Sequence, residues 1–177
     1  MDIATVNWGP YAGDLLVSSE GSGSIRMIDP NGNIVAQDIG AFPIAETVSF
    51  VPTDLGLSGN PVEGFYDANF AVDIQKASAN DFVNGNLLGD AIVTGEFGSS
   101  SPVWAVSYTG NVATPGNLAA PFSAKVQVGT EPNQSEDGIF VTAQRINDVT
   151  PEPSTLFPLA GLMGGLGYLI RRRRQNA

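Results

Sequence analysis

Over the first 150 residues the apolar positions fall in short runs separated by glycine, proline, serine and asparagine: Leu15-Leu16-Val17, Ile25 to Ile28, Ile34-Val35, Ala91-Ile92-Val93 and Val103 to Val106. Runs of this length, bounded by turn-forming residues and lacking helical spacing, predict an all-β body. Further strands are expected at Phe65 to Val72, Phe122 to Val128 and Gly138 to Ala143, with a polar linker over Gly129 to Asp137. The pattern changes near the end. Leu156 to Ile170 is one uncharged apolar stretch of 15 residues, closed by Arg171, Arg172, Arg173 and Arg174. The organisation read from this pattern is a β-rich body over 1–143, a linker over 144–150 and a C-terminal segment over 151–177.

Two parts of the body repeat. Gly13 to Glu20 reads GDLLVSSE and Gly89 to Glu96 reads GDAIVTGE, 76 positions apart. Each runs through a Gly/Ser-rich turn into another apolar strand. Asn31-Gly32-Asn33 and Thr109-Gly110-Asn111 then lead to Ile34-Val35 and Val112-Ala113. A strand, a turn, a strand and an Asn-Gly type turn make a hairpin unit that cannot bury its face alone and must stack on a neighbour. Gly13 to Val35 resembles a β-propeller blade. The resemblance implies a partial propeller of three or four blades; a generic β-sandwich is the other architecture these hairpins permit.

Composition narrows the chemistry. The chain has no cysteine and no histidine, which removes disulfides, thiolate metal sites and every Ser-His or Cys-His catalytic arrangement. Outside the arginine run, Arg26, Lys76, Lys125 and Arg145 stand against 18 acidic residues. A body this acidic repels nucleic acid and anionic lipid head groups. No phosphate-binding loop, nucleophile elbow or dinucleotide fingerprint is present. No catalytic residue, cofactor or metal is therefore expected. Trp8, Trp104 and Tyr108 are candidate platforms for sugars, with core packing the expected place of Trp104.

The C-terminal segment carries the strongest signal. Pro151-Glu152-Pro153 is followed by the apolar stretch and then the four arginines. As a helix the stretch measures about 22 Å, short of the ~30 Å hydrocarbon core, so Ser154, Thr155 and snorkelling arginines must make up the difference. A single transmembrane helix over 156–170 is expected, with Arg171 to Arg174 held in the cytoplasm and the body outside. Proline on both sides of Glu152 keeps that tripeptide extended and open to a peptidase cleft. The order of these parts resembles the PEP-CTERM sorting signal of exported bacterial proteins. The resemblance implies recognition of Pro151, Glu152 and Pro153 by an exosortase-type membrane protease. It makes the apolar helix a temporary anchor in the cytoplasmic membrane and the arginines a cytoplasmic stop signal. It implies surface or extracellular release and a role near matrix polysaccharide or biofilm.

Such a tail calls for a signal peptide, and Met1-Asp2-Ile3-Ala4 does not begin one, so the expectation is an N-terminally truncated piece of a longer protein. The function expected is a non-enzymatic exported surface or matrix protein. The alternative is a truncated lactonase-like propeller enzyme. That resemblance implies a calcium held by oxygen ligands, with Glu20 and Glu96 at equivalent strand ends and Asp67 and Asn69 beside them. Asp29-Pro30-Asn31-Gly32 is read as a turn.

Overall fold

The computed structural model describes residues 1–38, 42–70, 73–96 and 99–148. The expected sorting motif, membrane helix and arginine cluster lie outside the described residues. The chain divides into two units, Met1–Ala143 and Gln144–Ala177, and the architecture below is that of the first.

The body is built from strands, as its apolar runs predict. β1 (Asp2–Ile3), β2 (Leu15–Ser19), β3 (Ser24–Ile28) and β4 (Ile34–Asp38) form one antiparallel sheet in that order. A second sheet runs β5 (Thr47–Phe50), β8 (Ala91–Thr94), β9 (Ser100–Val106) and β10 (Val126–Pro132). A third joins β7 (Ile74–Ser78), β6 (Gly64–Asn69) and β11 (Ser135–Val141). The sequence repeat maps onto the first two sheets. Each has an outer strand, then the repeated hairpin (β2–β3 or β8–β9), then a closing strand (β4 or β10).

The middle sheet is covered on both faces, which explains why Ala91-Ile92-Val93 of β8 reads as a continuous apolar run and not as alternation. On one face Val48, Phe50, Ala91, Val93, Trp104 and Val106 join Leu16, Ile25 and Met27 of the first sheet, together with Trp8 and Phe122. On the other, Ile92, Val103 and Ala105 meet Phe65 and Phe140 of the third sheet and Phe82. Among the described residues the three sheets stack without closing into a ring.

The turns behave as read. Asp29 Oδ1 accepts from the backbone N–H groups of Asn31 and Asn33 at 2.9 and 2.8 Å, and Gly32 sits at φ +86°. Thr109 Oγ1 accepts from Asn111 N–H at 3.2 Å across the matching turn.

Four expectations need correction. Val112-Ala113 is not a strand; Ala113 N–H donates instead to the Tyr11 hydroxyl at 2.6 Å, and β10 takes the closing position later in the chain. The expected strand Phe122 to Val128 and linker Gly129 to Asp137 are displaced, because β10 and β11 occupy Val126–Pro132 and Ser135–Val141. Two short helices occur where none was expected, α1 (Ala79–Asn84) and α2 (Ala143–Asn147). At the start of α1 the Ser78 N–H donates to Asp81 Oδ2 at 2.8 Å and the Ser78 side chain accepts from the Asp81 N–H, forming a capping box. Finally, Trp8 is not a sugar platform, whereas Trp104 packs in the core as expected. Trp8 is wholly buried, meets Phe50 edge to face, stacks with Tyr108 and donates Nε1–H to Gly89 O at 2.9 Å. Trp104 is buried against Phe42.

Among the described residues no helix is long and apolar enough to cross a membrane.

Candidate functional site

Three places in the chain carry chemistry. The approach to the C-terminal segment is fastened first. Glu63 is almost fully buried and accepts from the Ser58 hydroxyl at 2.6 Å and from Ala143 N–H at 2.9 Å. The Ser58 hydrogen bond, with those from Ala143 and Gly56, holds its carboxyl below the usual range. The last residue of the body is thereby tied to the loop that precedes β6.

The second place joins the ends of the repeated strands. Glu20 follows β2 and Glu96 follows β8, and the structure brings their carboxylates together. Glu46, from the segment entering β5, completes a group whose oxygens lie within 4.8 Å of one another. Glu46 is pushed up by partial burial first, then by Glu20, Glu96 and Glu136. Three carboxylates with oxygen ligands only are what a hard cation needs, but the group is partly open to solvent and ordinary acidic surfaces reach this density. Asp67 and Asn69 do not complete it; they are engaged elsewhere.

Their place is the junction of the second and third sheets. Asp67 is fully buried on β6. Its Oδ1 accepts from the Ser135 hydroxyl at 2.7 Å and its Oδ2 from Asn69 Nδ2 at 2.6 Å. Ser135 and Thr94 share a 2.8 Å hydrogen bond, and Thr94 and Thr47 one of 2.7 Å, so a chain of buried hydroxyls leads from the second sheet to the carboxylate. Glu131 reaches in from β10 and is hydrogen-bonded to the Asp67 side chain. Burial, then the hydrogen bond and charge of Asp67, push Glu131 up to about 8. Asp67 is raised as well, by burial foremost, with the hydrogen bonds from Glu131, Ser135 and Asn69 opposing. Two carboxyl groups this close cannot both ionise cheaply, so near neutral pH they hold one proton between them.

Glu131 and Ser135 were assigned to a linker by sequence, so the partners of Asp67 were missed. The chain leaves β10 in the second sheet and enters β11 in the third within two residues, with Asn133 at φ +58°. No local pattern announces that crossing. Glu131 also lines a cavity of about 150 Å³ with Phe65, Phe82, Leu87, Val103 and Val128.

Comparison with known proteins adds one result. Residues 149–174 match the PEP-CTERM protein-sorting motif. No curated protein and no solved structure matches the chain.

Proposed function

From the sorting motif at residues 149–174 we infer that the protein is exported, addressed to the cell envelope and handled by an exosortase. From that premise we propose that the chain is a non-enzymatic surface or extracellular-matrix protein. Its C-terminal segment holds it in the cytoplasmic membrane until it is processed and released. Pro151, Glu152 and Pro153 are the recognition element, Leu156 to Ile170 the temporary membrane helix and Arg171 to Arg174 the cytoplasmic stop.

The observation that carries this reading is the order of parts inside the matched segment: a rigid Pro-Glu-Pro, an uncharged span and a cationic block. Each part has its own physical role in a transfer reaction at a membrane. The acidic body without cysteine suits an envelope protein that stays soluble without disulfides. The absence of histidine and of any nucleophile motif supports a non-enzymatic role. Two equivalent four-stranded sheets packed face to face support a propeller-like body, and a partner of extracellular polysaccharide type fits a protein displayed outside the cell.

The mass of the mature protein in its own host tests the proposal. The native chain is expected to lose its C-terminal segment. A chain with Pro151→Ala, Glu152→Ala and Pro153→Ala is expected to keep it and remain with the membrane. An intact C-terminus in the native chain would overturn the processing reading and leave the segment a permanent anchor.

A further inference from the structure

The hydrogen-bond accounting at the Asp67–Glu131 junction does not close. Its acceptors are the four carboxyl oxygens of Asp67 and Glu131 and the amide oxygen of Asn69. Its donors among the described residues are the Ser135 hydroxyl and the Asn69 amide. Glu131 Oε2 and Asn69 Oδ1 are left buried with no partner. Asn69 is only 8 % exposed, and its side chain meets both carboxyl groups. Buried acceptors without a donor are uncommon in folded proteins, and each costs on the order of 1–3 kcal/mol.

We propose that Asp67, Glu131 and Asn69 form a cation site between the second and third sheets, selective for calcium. The donor set is oxygen alone, with two carboxylates and one amide, and the neighbouring Ser135 and Thr94 hydroxyls add neutral oxygens. Hard cations take such sets, and calcium tolerates irregular arrangements that magnesium does not. A bound ion gives the stranded oxygens of Glu131 and Asn69 a partner and offsets the charge of the two carboxylates. Glu131 also borders the cavity described above. This site is separate from the Glu20, Glu46 and Glu96 group, where no buried side chain is left unpartnered. It does not depend on the fate of the sorting segment.

The test is calcium titration of the full chain in mild detergent after removal of metal with chelator, followed by calorimetry. One calcium per chain is expected, with an affinity in the 10⁻⁴–10⁻³ M range of extracellular modules and weaker binding of magnesium. Glu131→Gln imitates the protonated acid, keeps the hydrogen bond to Asp67 and so keeps the fold. It is expected to weaken calcium binding at least tenfold, whereas Glu46→Gln leaves it unchanged. Asn69→Ala supplies the same reading should the first variant not fold. Absence of saturable binding, unchanged affinity in Glu131→Gln, or loss of the ion through Glu46→Gln would each overturn the assignment.

Discussion

The shared proton of Asp67 and Glu131 makes stability depend on pH in a direction opposite to that of most carboxylates. Glu131 titrates near 8 in the folded chain against 4.5 for the free group. Between those values the folded state keeps a proton that the unfolded state has released, so raising the pH favours unfolding. The contribution is complete below pH 4.5 and is lost as pH climbs through 8. Across roughly 3.5 pH units at about 1.36 kcal/mol each, a wholly enclosed group would account for ~5 kcal/mol; Glu131 is partly exposed, and screening reduces this to ~2 kcal/mol. For a chain of this size that corresponds to a fall in Tm of about 4–8 °C between pH 5 and 8.5. Thermal unfolding followed by the fluorescence of buried Trp8 and Trp104, in chelator so that no cation substitutes for the proton, measures it. Glu131→Gln cannot titrate, so its Tm is expected to be flatter over the same range by that amount. Glu46, Asp14 and Asp90, also raised by burial, contribute to both proteins and cancel in the comparison. Equal slopes in the two proteins would refute the assignment of the proton to this pair.

Two packing features give further tests. Trp8→Phe keeps an aromatic ring among Phe50, Tyr108 and Phe122 but leaves Gly89 O without its donor. It is expected to cost ~1–3 kcal/mol, read as a lower urea midpoint with an unchanged slope; an unchanged midpoint would show that the hydrogen bond contributes nothing. Gly138→Ala on β11 places a methyl group against the ring of Phe65, which Phe82 and Phe140 hold from other sides. Overpacking of this kind costs about 1–3 kcal/mol, and Phe65→Leu in the same chain is expected to recover part of the loss.

How much of this was legible follows from where each signal comes from. The repeat GDLLVSSE and GDAIVTGE foretold two equivalent hairpins with Glu20 and Glu96 at equivalent strand ends; that the two carboxylates meet is a finding of the structure. Glu46 was not legible, since it reaches the group from the segment entering an unrepeated strand. The helix α1 carried a readable start, Ser78 three residues before Asp81, but its six residues are too few to show periodicity. The sorting segment was legible in full as a pattern, because its parts are defined by composition and order alone.

The part that sequence reading lost is the part where the body carries its buried charge, and the two facts have one cause. β10 is an edge strand whose Val126 to Thr130 are exposed, so no buried face imposes alternation and the segment reads as a polar linker. Being at the edge also leaves β10 free to turn out of its sheet, and within two residues the chain enters β11 against β6. That crossing brings Glu131 beside Asp67, which sits 64 positions earlier in the chain. A strand fully committed to one sheet would have shown its period, but it would have had no reason to pass between the sheets. An acidic residue in such a crossing is therefore a better candidate for a ligand than one at a repeated strand end. The first lies between two sheets beside the buried Asp67, where a second carboxylate charge is costly; the second stands at strand ends open to water.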